Sequence, residues 1–244
     1  MSYKSNTNSV LVSDYKVHGI QHTILLATAM LQSTAHKGDE EFRTTLHGEI
    51  CETILEVGLQ FYQEQHCKET TGWFWKKGLI LKDPTSANSK YLTELDLTLF
   101  TPQMIYVFEC KSYGGKKVLS GKCTLQTANR TCDVYRQNAS HEETLLKNIN
   151  AFRLPGEVAY KAVGTKKILF SFALGELEDT RTNEDKKEMP YLTYSTLFPY
   201  LEASAKGSAV WNVIALKKAM DVIERAGVSL SKKHLEYVKS IKRE

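Results

Sequence analysis

Between Tyr91 and Gly115 the chain reads YLTELDLTLFTPQMIYVFECKSYGG, and Glu94, Asp96, Glu109 and Lys111 interrupt runs that are otherwise largely apolar. Side chains alternate between faces along a strand. Glu94 and Asp96 therefore share a face of the first run, and Glu109 and Lys111 share a face at the end of the second. Thr101-Pro102-Gln103 separates the runs, with proline where a tight turn accepts it. A hairpin closed on Pro102-Gln103 sets Asp96 opposite Glu109 and Glu94 opposite Lys111. A one-residue slip would send these groups to opposite faces. The sequence leaves the register open, and the tight register is the one that clusters all four.

Such a cluster has a chemical use. Two carboxylates on neighbouring strands repel and are costly to bury alone. A divalent cation relieves this, because Mg²⁺ takes a few carboxylate oxygens and keeps waters for a phosphate substrate. A lysine beside the cation can orient or activate a water. The alternative is a solvated strand end carrying a Glu–Lys cross-strand pair, for which Glu-x-Lys by itself is a common pattern.

The elements that must position these groups can be read in order. Met1 to Lys16 is polar and reads as a flexible arm or an edge strand. His22 to Gln32 reads as a short buried helix, broken near Gly38. Asp39 to Gln65 is a long helix whose stripe is Phe42, Leu46, Ile50, Ile54, Val57 and Phe61. Glu49, Glu52 and Glu56 line another face, solvated by default. Trp73 to Lys82 reads as a strand ended by Asp83-Pro84. After the hairpin, Val118 to Leu125 forms one or two short strands, and Cys123 to Arg136 is a polar connection. Gln137 to Phe152 is a helix, with Ser140 as its cap and Glu143 completing a capping box. Gln137, His141 and Leu145 share one side of it if the helix begins early.

Pro155-Gly156 then breaks the chain. Lys166 to Leu174 is an apolar central strand, Glu176 to Glu188 a polar loop, and Met189 to Tyr194 another strand. Leu197 to Ala205 is a short helix with Pro199 in its first turn. Val210, Ile214, Leu216, Met220 and Ile223 form a helical stripe that Ala226-Gly227 ends. Ser231 caps a last helix, giving a C-terminal helical pair.

The 244 residues, 42% hydrophobic and 25% charged, suit one generous domain or a domain with an appendage. A net charge of +4 permits nucleic acid as a partner without demanding it. Lys111, Lys116, Lys117, Lys122, Arg130 and Arg136 follow the acidic cluster against Asp133 alone, as a basic border to the site or as a solvated loop. The basic C-terminal stretch Ser231 to Glu244 reads as phosphate contacts or as a surface helix. Five cysteines without a CxxC pair indicate neither a disulfide framework nor a zinc site and fit a reducing, cytoplasmic setting. MSYKSNTNSV lacks the order of a signal peptide. The longest apolar stretch, Ile24 to Leu31, falls short of the about 20 residues that span a bilayer. A soluble protein with no membrane partner is expected.

Asp96 on one strand and Glu109-x-Lys111 at the end of the next resemble the PD-(D/E)xK nuclease superfamily. Glu94-Leu95-Asp96, Phe108-Glu109-Cys110-Lys111-Ser112 and Gly114-Gly115 resemble, within it, the nuclease-related domain family, NERD. Gly48-Glu49 matches the pair that the family places in the helix before the sheet. Gln137, His141 and Leu145 match the family's Gln, His and Leu. The Asn-Pro that often precedes this Gln is absent, and Val134-Tyr135-Arg136 stands there instead.

The resemblance spans about Phe42 to Leu174. It implies an α/β, restriction-endonuclease-like core, a mixed central β-sheet flanked by helices, with a helical C-terminal extension. Residues 1–38 would be an arm and short helix, 39–205 the nuclease-like domain and 206–244 the helical pair. The implied activity is phosphodiester hydrolysis, with DNA the favoured substrate. Asp96, Glu109 and the Cys110 backbone carbonyl would hold Mg²⁺ or Mn²⁺, and Glu49 would complete the site or support a second metal. Lys111 would orient the attacking water or stabilise developing charge. Gln137 would hold a phosphate or a water, and His141 would contact DNA or the scissile phosphate, the alternative being a capping or surface histidine. Two other readings stay open: a silent or partner-activated nucleic-acid-binding subunit of a larger assembly, docked to a regulatory protein or a second copy, and an interaction protein with a surface Glu–Lys pair.

Overall fold

The computed structural model describes residues 7–34, 40–85, 92–151, 164–172, 175–204 and 213–241. The break at Gly38, the start of the first hairpin run at Tyr91, the Pro155-Gly156 break, Leu174 and Val210 lie outside these residues. The fold is α/β. Five strands form one mixed sheet in the order β1-β2-β3-β7-β9: β1 (Phe74–Lys82), β2 (Leu92–Phe100), β3 (Met104–Cys110), β7 (Gly164–Phe170) and β9 (Tyr191–Leu192). A second sheet has the order β6-β5-β4-β8, from β4 (Lys117–Ser120), β5 (Thr124–Gln126), β6 (Thr131–Asp133) and β8 (Leu177–Asp179). The chain clusters into two compact units that interleave in sequence. One holds Met1–Thr71, Glu109–Tyr135 and Ile168–Ser204, and the other Gly72–Phe108, Arg136–Lys167 and Ala205–Glu244.

In the second unit, β2 pairs antiparallel with both β1 and β3. Leu97 faces Phe108, Thr98 Val107, Leu99 Tyr106 and Phe100 Ile105. This is the tight register expected for a turn on Pro102-Gln103. Thr101 closes the turn, since its N–H donates to the Met104 carbonyl at 3.0 Å and its Oγ1 accepts from the Met104 N–H at 3.0 Å. The alternating apolar residues then build one core from Leu79, Leu81, Leu95, Phe100, Ile105 and Val107. Leu145 and Ile149 of α3 (Val134–Ala151) and Leu216, Met220 and Ile223 of α6 (Val213–Ile241) complete it.

Three expectations fail here. Ser140 does not cap α3, which begins six residues earlier. The N–H groups of Val134 and Tyr135 donate to the Cys123 carbonyl at 3.1 and 3.3 Å, which satisfies the first two donors of the helix. The polar connection expected up to Arg136 thus ends in β6 and the start of α3. The early start does put Gln137, His141 and Leu145 on one side of the helix. The C-terminal helical pair is one helix instead, and Gly227 lies inside it. A Cβ at Gly227 would sit 2.6 Å from the Ile80 carbonyl oxygen. The glycine is there for close approach to β1, where Lys76 also holds Asp221 and Glu224 at 2.8 and 2.5 Å.

In the first unit, α1 (Thr7–Thr34) covers the stripe of α2 (Glu40–Gln65). Leu11, Tyr15, Ile20, Ala27 and Leu31 pack with Leu46, Ile50, Ile54 and Val57. The arm or edge strand expected over Met1 to Lys16 is helical from Thr7, because burying Leu11 and Tyr15 outweighs the weak helix propensity of its Ser, Asn and Val residues. Gly19 (φ 79°, ψ 176°) interrupts α1 in a conformation open to glycine. The stretch Glu176 to Glu188 is not a loop. It contains β8, parallel to β4, and α4 (Asn183–Glu188), capped by Thr182. Pro199 lies in the interior of α5 (Tyr194–Ser204) rather than its first turn.

Candidate active site

Glu109 is fully buried near the end of β3, and Lys111 is the first residue past the strand. The alternation of the strand puts both on one face. The Lys111 ammonium forms an ion pair with Glu109 Oε1. The segment that carries them is fastened on several sides. The Lys111 N–H donates to the Phe170 carbonyl at 2.9 Å, and Ser112 Oγ donates to the Phe172 carbonyl at 2.6 Å. Cys51 of α2 accepts the Phe172 N–H at 3.3 Å and lies 3.8 Å from the Lys111 carbonyl oxygen.

A cavity of about 530 Å³ opens beside this segment. Arg43, Thr44, His47 and Gly48 line it from α2, and the stretch Cys110 to Gly115 lines the rest. His47 Nδ1 lies 3.2 Å from the Ser112 carbonyl oxygen. A carbonyl only accepts, so Nδ1 carries the proton and the neutral ring keeps its lone pair on Nε2. Burial pushes the His47 pKa below its ordinary value; the bond to Ser112 opposes this and the Arg43 charge adds to it.

The far wall of the cavity is braced from behind. Lys117 is 3% exposed, and its ammonium donates to the carbonyls of Tyr113 at 2.8 Å and Gly115 at 3.3 Å. Burial lowers its pKa. Gly175 (φ 113°) lies so close to Gly115 that a Cβ there would be 2.3 Å from the Gly115 carbonyl oxygen. The cations after the hairpin are therefore not one basic border. Lys117 turns inward, while Lys116 and Lys122 pair with Glu178 and Glu188, each at 3.4 Å.

The other residues expected at the site are placed as follows. Glu49 is half-buried on α2, one residue past the cavity wall, and its carbonyl accepts from Thr53 Oγ1 at 2.7 Å. Asp96 is half-buried on β2, whereas Glu94 is exposed and extends over Gly78, where a Cβ would lie 3.6 Å from its Oε1. On α3, Gln137 is half-buried and His141 is buried, 7% exposed. Asn138 between them donates from Nδ2 to the Val107 carbonyl at 3.0 Å and ties α3 to β3. Glu109 and Lys111 are thus brought together, and Glu49 stands on the helix that walls their cavity. Asp96, Gln137 and His141 belong to the second unit.

Sequence reasoning missed Arg43, His47 and Asn138, and read Lys117 as part of a basic border or a solvated loop rather than as an inward brace. Asn138 alone left a signal, a polar residue on the apolar side of α3 seven residues before Leu145.

Among the described residues, no three His, Cys, Asp or Glu side chains form a group that could hold a metal ion by themselves. The expected donors, carboxylates and a backbone carbonyl, are hard oxygens. They fit Mg²⁺ or Mn²⁺, which take one or two carboxylates and fill the remaining positions with water and phosphate. Among the described residues, no helix is long and apolar enough to cross a membrane.

Residues 54–164 match the family model of the nuclease-related domain, NERD. The match bears out the resemblance carried by Asp96 and Glu109-x-Lys111. The matched stretch contains Glu94, Asp96, Glu109, Lys111, Gln137 and His141, while Arg43, His47 and Gly48-Glu49 precede it. No curated protein and no solved structure matches the chain.

Proposed function

We propose that the chain is a nuclease that hydrolyses phosphodiester bonds, with DNA as substrate and Mg²⁺ or Mn²⁺ as cofactor. The observation that carries this reading is the buried Glu109–Lys111 pair, set at the end of β3 beside an open cavity and inside a nuclease-related domain. A carboxylate and an ammonium held this way cost desolvation energy that a purely structural pair seldom repays.

Asp96, Glu109 and the Cys110 carbonyl are assigned to the cation, with Glu49 in support. When bound, the cation polarises the phosphate and lowers the pKa of a bound water. Lys111 is assigned to orient the attacking water and to stabilise the charge that develops on the phosphate oxygens. Its tether to Glu109 keeps the ammonium from swinging into solvent, so little reorganisation is left for the reaction itself. Gln137 is assigned to hold a phosphate or water. His141 is assigned to contact the DNA or the scissile phosphate.

Incubation of the purified chain with plasmid DNA tests this reading. Cutting is expected with Mg²⁺ or Mn²⁺, is expected to stop with chelator, and is expected to be lost in Asp96→Ala. A chain that binds DNA but never cuts it with either cation would overturn the assignment.

A further inference from the structure

The cavity beside β3 is chemically one-sided. Arg43 and Thr44 bring a guanidinium and a hydroxyl from α2, and Lys111 lines the other side. Gly114 and Gly115 give it a wall without side chains, and among the described residues no carboxylate lines it. Arg43 and His47 are four residues apart and so stand on one face of α2.

The volume, about 530 Å³, falls in the range of small-molecule pockets and has room for a nucleotide unit. Its wall is already in place. Lys117 and the close approach of Gly175 hold Tyr113 and Gly115, while His47 and Ser112 hold each other. A ligand would meet a preformed surface and lose little by ordering it. The planar guanidinium of arginine matches a phosphate with two parallel hydrogen bonds.

We infer that this cavity is a phosphate subsite for a nucleic-acid strand, with Arg43 as its principal contact, adjacent to the phosphate on which Lys111 acts. The inference rests on the nuclease reading for its substrate class. The subsite reads backbone rather than bases, so it adds affinity and register without sequence preference.

The test uses the full chain in chelator, where no cutting occurs. Binding of a fluorescein-labelled single-stranded oligonucleotide of mixed sequence is followed by anisotropy at several salt concentrations. Arg43→Gln is expected to weaken binding about tenfold. It is also expected to lower the slope of log affinity against log salt by about 0.7, one phosphate contact on a single strand. Arg43→Lys, which keeps the charge, is expected to retain the slope. In the unaltered chain, hydrogen exchange of the Lys111–Gly115 amides is expected to slow when the oligonucleotide is added, a measurement that needs no variant to fold.

Unchanged affinity and slope in Arg43→Gln, or unchanged exchange over Lys111–Gly115, would overturn the subsite. Cutting that survives such a result leaves the nuclease reading standing. Arg43-dependent binding in a chain that never cuts supports the subsite and removes the nuclease reading.

Discussion

Lys111 reaches back two residues to the carboxylate of Glu109, and of the two side chains the lysine keeps 15% of its surface exposed while the glutamate keeps 1%. The pair is thus anchored on its buried member. This couples function to stability in a way that single variants confuse. Removing one partner of a buried ion pair typically costs about 3 kcal/mol or more, because the remaining charge stays buried. Lys111→Met is predicted to lose at least about 100-fold in cleavage rate and also to unfold at lower urea. The double variant Glu109→Gln/Lys111→Met removes both charges. It is predicted to recover most of the urea midpoint while remaining inactive. Urea denaturation and plasmid cleavage on the same preparations decide the matter, and an active double variant would take both residues out of the site.

Two helical glycines are predicted to respond to alanine with opposite signs. Gly48, inside α2, has nothing within 4 Å of an added Cβ. Gly48→Ala is expected to stabilise by about 0.5–1 kcal/mol through backbone entropy and helix propensity. Gly227, inside α6, would place its Cβ 2.6 Å from the Ile80 carbonyl oxygen, which belongs to a sheet and cannot swing away. The same propensity gain of about 1 kcal/mol is then set against an overpacking cost of about 1–3 kcal/mol. Gly227→Ala is expected to be the destabilising one in urea denaturation. Stabilisation by both substitutions would mean that α6 does not pass this close to β1.

The parts of the molecule that follow a short-range rule were legible in the sequence. The period-two pattern and Pro102 led to the hairpin, with its register left open, and the stripe from Leu46 to Val57 led to α2. That Glu109 and Lys111 share a face followed from strand alternation alone, although the sequence set Glu94 opposite Lys111 and the structure pairs Lys111 with Glu109. What was not legible depends on partners far along the chain. Met1 to Lys16 reads as an arm because nothing local shows that Leu11 and Tyr15 will be buried on α2. Gly227 reads as a helix stop because only the tertiary structure shows Ile80 beneath it. Within the site, Arg43, His47 and Lys117 carry no motif. Arg43 and His47 gain their role from the cavity that the end of β3 creates with α2, and Lys117 from the two carbonyls it turns inward to hold.

Cys123 supplies a prediction that is independent of any ligand. It is fully buried among Leu119, Leu125, Val134, Leu169 and Met189, and burial raises its thiol from the ordinary 9.0 to about 11. The folded chain therefore holds the proton at pH values where the unfolded chain has released it. A raised pKa contributes stability that is complete below the unfolded value and is lost as pH rises through the folded value. The window here runs from about pH 9 to about pH 11, and the loss amounts to roughly 2–3 kcal/mol at about 1.4 kcal/mol per pH unit. Burial also raises the pKa values of Tyr15, Tyr62 and Tyr194, which pulls in the same direction, so the single thiol must be isolated by difference. Cys123→Ala is expected to start from lower stability, because it leaves a small cavity, and to lose less between those two pH values. Thiol labelling supplies a second readout. In the native chain the exposed Cys67 is expected to react first, whereas Cys123 is expected to react only on unfolding. Equal pH slopes in the two proteins, or fast native labelling of Cys123, would mean that the packing around Leu119 and Leu125 admits water.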